Sequence, residues 1–148
     1  MTRANEDARR SHFNCAKNMK PKTLIIGAGI GGLTSAIALR RAKFDVEVFE
    51  RAPDVKEVGA GIALSPNAMR VLKHLGLMQQ VGERGTAIKA AVGYTWRGRE
   101  ISRLATNLMD VPSVCLHRAD LQQVLFSALP PDCFRLGEQF VDFTQSAG

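Results

Sequence analysis

With 148 residues, 45% of them hydrophobic, the chain is long enough to build one domain around a buried core. Twenty lysines and arginines against fourteen acids give a net charge of +6. These cations are scattered, not striped along one element, which argues against nucleic-acid binding and suits an anionic cofactor or substrate.

No apolar run reaches membrane-spanning length and no signal-like segment precedes the first strand, so a cytoplasmic protein is expected. Cys15, Cys115 and Cys133 are widely spaced and odd in number, as in a reducing compartment without a disulfide framework. His12, His74 and His117 stand apart with no ligand-like spacing, so no metal site is expected.

Residues Met1 to Pro21 are polar and mixed in charge, and they predict a disordered tail outside the fold. The domain is expected over residues 22–148. Its first strand is the run Leu24-Ile25-Ile26, apolar enough to be buried on both faces. A G-x-G-x-x-G turn follows, with Gly27, Gly29 and Gly32 at the spaced positions and Ala28, Ile30 and Gly31 between them. Gly27 permits the tight strand-to-helix turn, Gly29 leaves room for a pyrophosphate against the backbone, and Gly32 lets the helix lie close to the sheet. The helix start supplies backbone N–H groups and a positive dipole end, which together make an anion site.

The helix is expected from about Gly31 to Arg41, with Leu33, Ala36, Ile37 and Leu39 apolar. A second strand over Asp45 to Phe49 stops on Glu50, an acid placed to accept hydrogen bonds from a ribose. Strand, glycine turn, helix, strand and terminal acid in that order predict a dinucleotide-binding βαβ unit.

Val58-Gly59-Ala60-Gly61-Ile62 carries two glycines at alternate positions, either a flexible loop or a place where backbone passes close to a flat ligand. Ser65-Pro66-Asn67 starts a helix that buries Ala68, Val71, Leu72 and Leu75 and stops at Gly76. Gln79 to Gly85 is a short polar turn or helix. One strand over Ala87 to Trp96, a turn at Arg97-Gly98-Arg99 and a strand over Glu100 to Leu104 form a hairpin. The hairpin breaks the βα alternation, so residues from about 85 to 116, including a short strand at Ser113 to Leu116, are assigned to a second, antiparallel layer.

Arg118 to Leu129 is an amphipathic helix with Leu121, Val124, Leu125 and Ala128 on one face. Arg118 is out of place at a helix N-terminus, where a cation is disfavoured by roughly 0.3–1 kcal/mol. It contacts an anion or swings into solvent. Cys133 to Leu136 predicts a third parallel strand, and Gln139 to Thr144 a further strand that runs into the chain end.

Three segments together, GAGIGGLTSAIAL with VFERA, then VGAGIALSPNAMRVLKHLGL, then LHRADLQQVL, resemble the group A FAD-dependent monooxygenases, the aromatic-ring hydroxylases, and most of all their salicylate-hydroxylase-like branch. The resemblance implies an α/β fold: a Rossmann-like FAD-binding unit with a parallel sheet, plus part of an antiparallel substrate-side sheet, truncated. It implies FAD held by Gly27, Ala28, Gly29, Ile30, Gly31 and Gly32 at the pyrophosphate, by Glu50 and Arg51 at the adenosine ribose, by Ala60 and Gly61 near the flavin ring, and by Arg118. NAD(P)H would reduce the flavin, and O2 would supply an oxygen to a small aromatic substrate.

The later Asp-Gly and Gly-Asp segments of such enzymes have no counterpart here, and Ala63 stands where some relatives carry a catalytic histidine. The expectation is a portion of such an enzyme with no assignable catalytic residue, inactive by itself. The alternatives are an NAD-dependent dehydrogenase domain or a non-catalytic dinucleotide-binding module.

Overall fold

The computed structural model describes residues 22–54, 60–105 and 109–145, so the expected tail and the Val58-Gly59 pair lie outside the described residues. The first three elements follow the βαβ order: β1 (Lys22–Ile26), α1 (Ile30–Arg41) and β2 (Asp45–Glu50). Strand β1 runs parallel to β2, from Lys22 against Asp45 to Ile26 against Phe49. On the other side of β2 the late strand β8 (Phe134–Leu136) is also parallel, with Val48 opposite Phe134. This gives the sheet order β1-β2-β8. The predicted third parallel strand is therefore present.

One face of this sheet is closed by helices. Val46 and Val48 alternate toward a core shared with Leu33, Ala36 and Ile37 of α1 and with Leu121, Val124 and Leu125 of α4 (Arg118–Ser127). The opposite face carries Glu47, bridged to Lys22 at 3.1 Å and to Arg135 at 2.8 Å, one partner on each neighbouring strand. Lys22 above all, with Arg135, holds the Glu47 carboxyl below its ordinary value.

Strand β1 departs from expectation here. Leu24 and Ile26 are 56% and 52% exposed, so only one face of the apolar run is buried. An apolar run records that both faces can be covered, but the outer face of β1 borders an open groove that it shares with the segment from Glu138 to Phe143. That segment is itself a correction. Gln139 to Thr144 forms no strand, and Val141 and Phe143 are largely exposed. Among the described residues its apolar side chains have no partner strand to fix their alternation.

The middle of the chain builds antiparallel sheets. Strand β3 (Gly61–Leu64) leads into α2 (Pro66–His74) and α3 (Met78–Arg84), followed by β4 (Thr86–Ile88), β5 (Ala90–Tyr94), β6 (Glu100–Ala105) and β7 (Ser113–His117). Strand β7 lies between β3 and β4, while β5 and β6 form a separate two-stranded ribbon. The single strand expected over Ala87 to Trp96 is thus two strands, parted at Lys89. Ile88 pairs with Ser113 and Ala90 with Ala105, so the chain changes sheets although its alternation runs on.

In α2 the Ser65 N-cap and Pro66 start stand as expected, but the buried residues are Met69 and Leu72, with Leu75 at the C-cap, and Val71 is half exposed. Two overlapping stripes satisfy the same spacing, and the bulkier Met69 claims the core. In α4, Leu121, Val124 and Leu125 are buried as expected, while Ala128 is exposed beyond the helix end.

Among the described residues no helix is long and apolar enough to cross a membrane. Cys115 is exposed and Cys133 is buried, with the Arg40 guanidinium 2.9 Å from its sulfur. Burial pushes the Cys133 thiol up from its ordinary value, against the opposing pull of Arg40. Native-state alkylation with iodoacetamide, mapped by mass spectrometry, should modify Cys115 and spare Cys133 until denaturant is added. Equal labelling of both would contradict this packing.

Candidate functional site

The β1–α1 turn is built as the glycine spacing requires, for reasons that differ at each position. Gly27 has φ +99°, a left-handed conformation open to glycine and strained for other residues. Its N–H donates to the Phe49 carbonyl at 2.7 Å, extending the β1–β2 ladder into the turn. Gly29 is the N-cap of α1, with extended backbone and no side-chain cap. A Cβ placed on Gly29 or Gly31 would meet no protein atom within 4 Å, so the outer surface of the turn is bare. A Cβ on Gly32 would lie 2.0 Å from the Gly27 carbonyl oxygen. Gly32 is required by the fold, whereas Gly29 and Gly31 leave space for something else. Ile30 opens the helix, whose first N–H groups have no intrahelical acceptor.

Glu50 turns inward on this loop. One carboxylate oxygen accepts the Ala28 N–H at 2.7 Å and the other accepts the Ala52 N–H at 3.0 Å. These bonds, Ala52 first and Ala28 second, hold the Glu50 carboxyl below its ordinary value and keep it ionised. A carboxylate has about four lone-pair sites, so two bonds leave capacity for ligand hydroxyls. Arg51 follows on the surface. Gly27, Glu50 and Arg51 line a cavity of about 260 Å³ together with Glu138, Gln139 and Phe140. Phe140 also lines an adjoining apolar groove of about 530 Å³ beside Leu24 and Ile26.

Ala60, Gly61 and Arg118 are brought together by the β3–β7 pairing. Gly61 lies opposite His117, and the Arg118 N–H donates to the Ala60 carbonyl at 3.2 Å. All three are exposed. Helix α4 begins at Arg118, and the His117 imidazole caps it by accepting the Ala119 N–H at 3.3 Å. Asp120 in the first turn offsets the unfavourable cation.

Sequence reasoning missed the residue that joins the two groups. Gln122, 6% exposed, donates from Nε2 to the Ala28 carbonyl at 3.0 Å. Its signal was available as spacing: four positions after Arg118, it shares that residue's face of α4. Arg118 therefore projects from the helix face that packs on the glycine turn. Glu138, Gln139 and Phe140 were also missed, because only the arrangement of β8 beside β2 carries them to the cavity.

Residues 25–55 match the model for the NAD(P)-binding Rossmann-like domain. Among curated proteins, the chain is 42% identical over 119 residues to 3-amino-4-hydroxybenzoate 2-monooxygenase of Streptomyces cremeus, covering 76% of this chain and 30% of that protein. It is 37% identical over 120 residues to a salicylate hydroxylase of Pseudomonas putida, covering 78% of this chain and 28% of the relative. Over these stretches the chain is similar to aromatic-ring monooxygenases. It spans about 30% of the length of the curated relatives it matches. In fold, the chain superposes on HpxO of Klebsiella pneumoniae (R204Q), solved with FAD, with a TM-score of 0.70 and 25% identity over 80% of this chain and 32% of that one. The mixed α/β architecture, parallel sheet plus antiparallel sheets, is that of the FAD-binding oxygenases.

Proposed function

We propose that this chain is the FAD-binding portion of a flavin-dependent monooxygenase that uses NAD(P)H and O2 to hydroxylate a small aromatic substrate. The observation that carries the reading is the seating of α4 on the glycine turn, through Gln122 and the Ala28 carbonyl, with Arg118 on the same helix face. A simple dehydrogenase domain needs the turn and the terminal acid but has no use for that third segment. The bare surface at Gly29 and Gly31 fits a pyrophosphate, and the ionised Glu50 fits ribose hydroxyls.

In this reading Gly27, Ala28, Gly29, Ile30, Gly31 and Gly32 cradle the pyrophosphate, with Glu50 and Arg51 at the adenosine end. Ala60, Gly61 and Arg118 lie toward the flavin. FAD supplies the oxygen-activating redox chemistry when bound. The residues of this chain bind and orient it, and no acid or base is assigned among them. Residues from about 85 to 116 belong to the substrate side.

The test is a fluorescence titration of the purified chain with FAD, repeated with NAD as competitor. FAD should bind and NAD should not displace it. Gly29→Val should abolish binding by filling the bare surface. Arg118→Ala should weaken it about ten- to a hundredfold, the scale of one charge-assisted hydrogen bond. Preference for NAD would instead establish a dehydrogenase domain.

A further inference from the structure

We infer that Gln122 is a positioning residue that locks the Ala28–Gly29 peptide plane so that the Gly29 N–H faces the ligand. The inference rests on the dinucleotide reading of the turn for its functional meaning, but the lock itself is a property of the free chain.

The Ala28 carbonyl and the Gly29 N–H belong to one planar trans peptide, so they point in opposite directions. Whatever holds the carbonyl also aims the N–H. Here the Gln122 amide holds the carbonyl on the α4 side at 3.0 Å, which turns the Gly29 N–H to the other side. The neighbouring residues would not fix that plane unaided. Gly29 has no Cβ to restrict its rotation, and Gly27, one residue upstream, lies at φ +99°. The preceding peptide is fixed separately, by Glu50 accepting the Ala28 N–H at 2.7 Å.

Ala28 is thus held on both sides, its N–H by an acid from β2 and its carbonyl by an amide from α4. The side chains of both Ala28 and Gln122 are shielded from water, at 1% and 6% exposure, so solvent cannot readily replace the bond. A glutamine at this point, beside the buried Leu121 and Leu125, is explained by a carbonyl that needs a neutral donor. A lysine would bring a charge to be desolvated, and a leucine would leave the carbonyl unpaired.

The experiment uses the 148-residue chain with Gln122→Met, which keeps the shape and removes the donor, and Gln122→Glu, which can donate only when protonated. The first readout is the Gly29 amide resonance in the free protein, by 15N relaxation dispersion. Wild type should be sharp, and Gln122→Met should show microsecond–millisecond exchange at Ala28 and Gly29. The second is affinity for ADP compared with adenosine. Gln122→Met should lose about three- to tenfold for ADP, the worth of one neutral hydrogen bond, and less than about twofold for adenosine.

In Gln122→Glu the deficit should shrink on acidification relative to wild type. A quiet Gly29 amide in Gln122→Met would overturn the lock, as would equal losses for ADP and adenosine. Failure of wild type to bind ADP, with exchange appearing in the variant, would overturn the nucleotide reading and leave the lock standing.

Discussion

Among the glycines of the described residues, Gly32→Ala should be the most damaging substitution. The new Cβ would fall 2.0 Å from the Gly27 carbonyl oxygen and 3.2 Å from its carbon, and both are backbone atoms with no rotamer to escape into. Relief requires α1 to lift from the end of β1. Leu33, Ala36 and Ile37 are 0%, 0% and 5% exposed, so lifting the helix opens the core beneath it. Overpacking of this kind costs about 1–3 kcal/mol even when side chains can adjust. With backbone on both sides the expected loss is above about 3 kcal/mol, a fall in melting temperature of more than about 10 °C.

Gly31→Ala is the control. It lies on the same turn, exposed, with nothing within 4 Å of its added Cβ. Replacing a helical glycine there should raise stability by about 0.5–1 kcal/mol. Thermal melts followed by circular dichroism distinguish the two. Equal melting temperatures would mean that the turn and helix are not held at the distance seen here.

The second large effect belongs to Glu50. Glu50→Ala removes the acceptor of the Ala28 N–H, a group on a residue only 1% exposed, and an unsatisfied buried donor costs about 1–3 kcal/mol. Glu50→Gln is subtler, since its amide presents N–H where one backbone N–H already points. Both should also weaken FAD binding, because the same carboxylate faces the cavity beside Arg51.

The pH dependence follows from the depressed carboxyl. In acid the unfolded chain takes up the Glu50 proton first, near the ordinary value of 4.5, while the folded chain resists until lower pH. Glu50 therefore contributes its stability above about 4.5 and loses it as pH falls through the folded value. The stability gap between wild type and Glu50→Gln should be widest at neutral pH and should narrow below that point. A gap unchanged down to the acid transition would show that Glu50 is not ionised on the loop.

Much of this was readable in the residues, and the reasons are local. Gly27, Gly29 and Gly32 announced the turn because each answers a constraint within a few residues, and Glu50 announced the strand end. Cys133 to Leu136 was readable as a strand, one residue longer than the observed Phe134–Leu136, because Pro130 and Pro131 fence it from α4. What the chain did not disclose depends on distant partners. Met69 and Val71 lie on opposite sides of α2, and only the packed neighbours decide which side faces the core. Lys89 marks a change of sheet that alternation passes over. Leu24 and Ile26 signal a face that can be covered without saying by what. Gln122 was hidden because a polar residue among Leu121, Val124 and Leu125 reads as surface until the Ala28 carbonyl is placed opposite it.

The bond between Gln122 and Ala28 joins residues 94 positions apart, and Arg40 meets Cys133 across 93. Closing such long loops must precede the contacts that reward it, which slows folding. A helix and hairpin can form early from neighbours, but the glycine turn waits for β7 and α4 to arrive before its peptide is fixed. During synthesis the glycine turn is therefore made well before the helix that fixes its peptide. The ligand-facing end of the fold is completed by chain that is made much later.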